Sequence, residues 1–277
     1  TVGKAGFPER GTASFPGVRE LLVSLPLWAL VAALLLFFWA VTIAARKFVM
    51  YRCDVAAREV LADQANNLLT GVAATFAFFV GFAISVSWGA VNAGQVAVEQ
   101  QAVAVRQMAW QLNNMADRAE SAALMDKLRT YATTVAEQDD NLLVLGKTAD
   151  MPSAVPLDDF ENALYAHVNS PRAAERQVST LTTSASALSS ASAGVAAVAS
   201  RSLPRPLAML LIIVGVLTAI LVGITTVVYS RPSLIFVWSL IPAVSIATVV
   251  ALAYPFALRS GASLEPMRAV VQYLASL

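Results

Sequence analysis

Charge is scarce in this sequence. Of its 277 residues, 13% are Asp, Glu, Lys or Arg, about half the share of an ordinary soluble domain. The net charge is +1, too small to build the basic field that nucleic acid requires. Cysteine is limited to Cys53, so no intramolecular disulfide framework exists. The only histidine is His167, which excludes any metal site built on two histidines. CxxC, HExxH, P-loop and GxSxG patterns are absent. Asp139 and Asp140 are adjacent, but neighbouring side chains on a helix diverge by about 100°. They read as two solvated acids, and Cys53 reads as an ordinary interfacial thiol. No nucleophile, base and oxyanion set can be assembled, so neither an enzyme nor a bound cofactor or metal is expected.

What the sequence has instead is apolar residues, 57% of the chain. Spanning a hydrocarbon core of about 30 Å takes about 20 apolar residues in a helix. Four charge-free runs meet that length: Leu25–Ala45, Leu68–Val91, Leu207–Tyr229 and Leu234–Leu258. One charge at mid-bilayer costs about 2.5–3.5 kcal/mol, so such runs predict four transmembrane helices and a lipid bilayer as the chain's surroundings. The expected class is all-α and polytopic, two spans, a helical insert, then two more. The parts are an irregular tail over 1–24, spans one and two over 25–91, an extramembrane domain over 92–206, spans three and four over 207–258, and an amphipathic segment over 259–277.

Within the insert, Asn92 to Gly146 contains no proline and repeats apolar residues at helical spacing, among them Val96, Val103, Met108, Leu112, Leu124 and Leu128. No turn signal separates Val91 from Gln95, so the second span is expected to run on into this helix. Charges from Glu99 to Arg129 read as a solvated face. Residues 146–156 read as a loop, with Asp158 or Asp159 capping a short helix after it. Ser170 before Pro171 reads as the start of another helix. Its second half is nearly all small residues but keeps a stripe of Val178, Leu181, Leu188, Val195 and Val198, favouring a close-packing helix over a flexible linker.

The second span carries the features most open to a functional reading. It is crowded with small residues, including Gly71, Gly81, Ser85 and Gly89, which let helix backbones approach closely in lipid. This places the span innermost in a bundle or oligomer. Ala74, Phe78 and Phe82 fall at i, i+4 and i+8 on one face. Repeated around a symmetry axis, that face makes an apolar constriction able to gate ions by dewetting. Plain helix packing uses the same pattern.

The segment FFVGFAISVSWGAVNAGQVAVEQQAVAV, with Gly81-Phe82, Trp88 and Glu99, resembles the second span and following helix of the bestrophin-like domain family of bacterial membrane proteins. The closing YPFALRSGASLEPMRAVVQYL resembles that family's C-terminal motif at Pro255, Phe256, Gly261 and Pro266, with Tyr254 in place of the usual histidine. The resemblance spans nearly the whole chain. True bestrophins are pentameric anion channels with a hydrophobic neck on the second span, which the resemblance maps onto Ala74, Phe78 and Phe82.

Two functions follow as expectations. One is a homo-oligomeric ion channel, with chloride or another small anion as the permeant species. The alternative is a non-conducting scaffold or accessory subunit of a larger membrane complex. An intramembrane enzyme or transporter lacks the buried ionisable residues such machines use. The expected location is a bacterial cytoplasmic (inner) membrane. Loop arginines and lysines, counted over both sides, favour placing both termini and the 92–206 domain in the cytoplasm.

Overall fold

A computed structural model describes residues 26–170, 175–229, 234–256 and 261–277, with side chains 175, 176 and 234 not described. Nine α-helices cover most of the described residues: α1 (Leu27–Arg52), α2 (Val55–Asn113), α3 (Arg118–Gln138), α4 (Asp140–Leu145), α5 (Ala154–Val168), α6 (Glu175–Ala199), α7 (Arg205–Thr225), α8 (Leu234–Leu252) and α9 (Glu265–Ala275). The chain is all-α. Four of these helices are long and apolar enough to cross a membrane: α1, α2, α7 with its short 3₁₀ continuation, and α8.

The expected continuity of the second span holds. α2 runs for 59 residues, about 90 Å at 1.5 Å per residue, far more than a bilayer needs. It also begins earlier than the apolar run, because Asp54 caps it by accepting the Ala57 amide at 2.9 Å. The polar stretch 55–67 is therefore helix that precedes the span. α1 likewise continues past Ala45 to Arg52.

Other boundaries differ from expectation. The helix expected from Asn92 to Gly146 is broken after Asn113, where Asn114 takes the C-cap and Asp117 starts α3 by accepting the amides of Ala119 and Glu120. Gly146, at φ 68, ends α4 in the left-handed region. α5 starts at Ala154 rather than after Asp158, so Pro156 lies in its first turn, where its missing N–H leaves no bond unmade. The last span stops at Leu252, ahead of Pro255. The 1–24 tail, Pro171, Arg231, Leu258 and Arg259 lie outside the described residues.

Two apolar clusters organise the chain. The first gathers Phe38 of α1, Phe76, Val80 and Ala83 of α2, Leu211 and Ala219 of α7, and Ala243, Ile246 and Val249 of α8. The second joins the lower half of α2 to α3, α5, α6 and α9 through side chains such as Val98, Val105, Leu128, Phe160, Leu164, Leu188 and Met267. Among the described residues α2 is the only helix contributing to both. The small-residue segment is an unbroken helix, α6, packed along α2.

Buried polar groups tie the second cluster together. Gln101 of α2 donates to the Tyr131 hydroxyl at 2.7 Å, both residues being essentially buried. Burial pushes the Tyr131 phenol above its usual range, opposed by bonds with Ser192 and Gln101. Asp139 overturns one expectation, because it is fully buried rather than solvated. It sits at the α3–α4 junction, where it bonds with the Ser153 hydroxyl and one oxygen accepts the Ser153 amide at 3.2 Å, while among the described residues Oδ2 has no geometrically good hydrogen-bond partner. Burial raises its carboxyl above the ordinary carboxylate range, with the Ser153 bonds pulling the other way.

A raised folded-state carboxyl stabilises fully below the unfolded value of about 3.9, and that contribution is lost as pH rises through the folded value. Asp139→Asn keeps the acceptor for Ser153 but cannot ionise. The melting temperature of the variant minus that of the wild type should therefore climb as pH rises from about 4 toward neutrality. A difference that stays constant with pH would contradict this assignment.

Candidate functional site

The face of α2 opposite its buried side is exposed over most of its length. Gly71, Ala74, Phe78, Phe82, Ser85 and Gly89 recur at steps of three or four residues, and all are exposed. The same steps continue through Asn92, Val96, Gln100, Val103, Gln107 and Trp110, again all exposed. At about 100° per residue these twelve positions fall in one narrow stripe. Phe78 and Phe82 are 68% and 51% exposed, and the Phe78 and Phe79 rings lie T-shaped to each other with centroids 5.6 Å apart.

At the glycines on this stripe and at its edge, no described residue of the chain packs closely. A methyl group added at Gly71, Gly81 or Gly89 would meet nothing within 4 Å. Close intrachain approach occurs at other glycines. At Gly94 an added Cβ would lie 3.0 Å from Ala262 Cβ and 3.3 Å from Pro255 Cβ. At Gly223 it would lie 2.5 Å from the Thr42 carbonyl oxygen. The small residues of α2 thus divide into a packed set and an unpartnered set. Sequence alone could not separate them, since both follow helical spacing.

Charge at the edge of the stripe is mainly acidic. Asp63 and Glu99 are exposed and thirty-six residues apart, a whole number of helical turns, so they share a direction on the edge of the stripe about 54 Å apart. Arg106 lies further round the helix and stacks over the Tyr273 ring of α9 at 5.0 Å from its centroid. α6, alongside, exposes hydroxyls and methyls such as Ser186, Ser190, Ala193 and Ala197. Asp63 gave no sequence signal, because it precedes the apolar run; only the early start of α2 brings it onto the stripe.

Glu99 stands between two grooves. One, of about 530 Å³, lies between α2 and α6, with Gln100, Gln107 and Ser190 among its walls. The other, of about 420 Å³, lies between α2 and α9 and includes Arg106, Pro266 and Tyr273. The resemblance motif is partly gathered here. Pro255 and Phe256 are buried, and they pack with Ala262 where Gly94 leaves room. The Ala262 amide closes this bend by donating to the Pro255 carbonyl at 2.8 Å. Pro266 lies in the first turn of α9. Trp88 is 60% exposed on α2, and half-buried Gly261 opens the segment leading to Ala262.

The other sequence candidates stay outside this region. His167 is nearly buried, with Nδ1 3.8 Å from Glu120 Oε1. Cys53 caps the end of α1, where its amide donates to the Val49 carbonyl. Among the described residues no cluster of three or more His, Cys, Asp or Glu side chains forms a metal-ligand group.

Four spans, a long helix shared between two cores and a bare stripe along that helix define a polytopic helical membrane protein. A family profile described as Bestrophin-like domain matches residues 32–261. The chain belongs to the bestrophin-like family. No curated protein matches its sequence. Among solved structures, one variant of a bacterial bestrophin homolog from Klebsiella pneumoniae aligns at 15% identity and a TM-score of 0.63, over 90% of this chain and 96% of that one. A second variant of that homolog aligns at 16% identity and a TM-score of 0.59, over 89% and 98%. A third crystal structure, described only as a membrane protein, aligns at 14% identity and 0.61, over 89% and 97%. At these identities the likeness establishes the fold.

Proposed function

We propose that the chain forms a homo-oligomeric ion channel in which α2 of each copy lines a central axis. The observation that carries this is the exposed stripe on α2. It has small residues and phenylalanines along the apolar run and amides beyond it, and among the described residues it has no partner within the chain. A lipid-facing helix has no need of Gly71, Gly81, Ser85 and Gly89 together, whereas a helix meeting its own copies does. In this reading Ala74, Phe78 and Phe82 form the neck, and the exposed small face of α6 meets a neighbouring copy. The domain over 92–206 and both termini lie in the cytoplasm, in keeping with the count of loop arginines and lysines.

The family resemblance points to chloride or another small anion. The stripe's own charge favours the opposite sign. Between Val60 and Trp110 its edge carries Asp63, Glu99 and Arg106, a net charge of −1, and the Arg106 guanidinium is engaged with the Tyr273 ring. A ring of acids at each end of a narrow path concentrates cations and repels anions. We therefore assign the pore to small monovalent cations. In proteoliposomes under a potassium chloride gradient, the wild type should reverse near the potassium potential. Asp63→Asn with Glu99→Gln should lower the cation-to-anion permeability ratio on the order of tenfold. A reversal near the chloride potential in the wild type would return the assignment to anions.

A further inference from the structure

The carboxylate of Glu99 does not sit free at the mouth of this path. Gln95, one turn earlier on α2, donates its Nε2 to Glu99 Oε1 at 3.0 Å. The other end of the same amide, Gln95 Oε1, accepts the backbone N–H of Ser263 at 3.1 Å, from a segment 168 residues away in sequence. These two bonds fix which way the amide points. Because a main-chain N–H can only donate, it must meet the oxygen, which turns the nitrogen toward Glu99. Gly94 makes the approach possible. With no side chain there, Ala262 and Pro255 close on α2, and a Cβ would sit 3.0 Å from Ala262. Ser263 also receives the Glu265 amide on its hydroxyl at 3.1 Å, so it is held at the entrance to α9.

We infer that Gln95 is a positioning residue: it couples the Ser263 backbone of the C-terminal segment to the Glu99 carboxylate and sets how strongly that acid selects cations at the pore mouth. The inference rests on the channel reading and assigns that pore a device beyond its neck. Glu99 on a bare helix would sample several rotamers, some directed away from the path. A hydrogen bond from an amide anchored at its far end keeps the charge in one place without neutralising it, which a lysine or arginine in that position would do. The C-terminal segment thereby acts on the mouth through a backbone N–H.

Gln95→Met preserves side-chain length and helix preference while removing both bonds. It should lower the cation-to-anion permeability ratio by roughly fivefold, the scale of one partly solvated bond to a charged group. The neck is untouched, so single-channel opening should persist. In a Glu99→Gln background the same change should have no further effect on the ratio, because there is no carboxylate left to position. Hydrogen exchange at the Ser263 amide should speed up in Gln95→Met, a readout that does not depend on conduction.

Independent effects of the two substitutions on the ratio would overturn the inference while leaving the channel reading intact. So would an unchanged ratio in Gln95→Met with accelerated Ser263 exchange. Unchanged exchange at Ser263 would show that the bond does not hold the segment and would overturn it as well. A wild type that passes no ion would overturn both the channel reading and the inference built on it.

Discussion

Replacing both phenylalanines of the proposed neck, Phe78→Ala with Phe82→Ala, should raise ion flux through reconstituted protein by about tenfold or more while leaving its melting temperature nearly unchanged. The two halves of this expectation come from the same fact. Phe78 and Phe82 are 68% and 51% exposed in the chain, so little intrachain packing is lost when their rings are removed. If the stripe lines an axis, each ring instead narrows and dries the path. The water-repelling contribution of one phenyl group is about 1.5–3 kcal/mol, and about 1.4 kcal/mol already changes a rate or equilibrium tenfold. Several copies acting on one constriction multiply the effect, so tenfold is a lower estimate. Flux measured by a potassium-sensitive dye in vesicles separates the outcomes. An unchanged flux, with normal stability, would mean that this face looks at lipid or at a non-conducting partner.

Gly223→Val should be the most damaging single substitution in the membrane bundle. α7 crosses α1 so closely at Gly223 that an added Cβ would lie 2.5 Å from the Thr42 carbonyl oxygen and 2.9 Å from Ala45 Cβ. Thr42 is itself almost fully buried, with its hydroxyl bonded to the Phe38 carbonyl at 2.8 Å. Neither obstacle is the flexible end of a side chain, so the helices must separate. Separation would also loosen the packing two turns away, where Gly215 leaves room for the Phe38 ring at 3.3 Å. Overpacking costs about 1–3 kcal/mol where a core can shift, and a backbone obstacle places this site at the upper end. The variant should show a large drop in detergent-solubilised yield and melting temperature. Gly194→Ala, inside α6 where a methyl group meets nothing within 4 Å, should be at least as stable as the wild type. Equal stability of Gly223→Val and wild type would contradict the crossing geometry.

These two sites also show what the sequence could and could not convey. The four spans were legible because charge-free runs of that length have little other use. The continuity of α2 was legible because nothing between Val91 and Gln95 interrupts a helix. Its early start at Val55 was not, since the signal lies in Asp54, a cap fourteen residues ahead of the apolar run. The break before α3 had a comparable cap at Asp117, overshadowed by apolar residues on both sides that keep helical spacing. Asp139 looked like half of a solvated pair; only the fold of α4 and α5 around it removes it from water.

Part of the exposed stripe was legible, because Ala74, Phe78 and Phe82 fall on one helical face in sequence and are exposed together. The division of labour among glycines was not. Gly81 and Gly223 look alike in sequence, and only the positions of α1 and α7 decide that one is packed and the other bare. The Gln95 and Glu99 pair has ordinary i, i+4 helical spacing. Its link to Ser263 joins distant parts of the chain, and no local pattern announces such a contact.

The central claim is that the bare face of α2 meets the same face of other copies. Cysteine cross-linking tests it most directly, since Cys53 is the only native thiol to remove. In a Cys53→Ser background, Phe78→Cys and Phe82→Cys should be joined by a short bifunctional thiol reagent into a ladder of covalent oligomers. Leu36→Cys, on an exposed part of α1, should remain monomeric. Ladders at Leu36 with monomers at both neck positions would put α2 on the outside of the assembly and contradict the account.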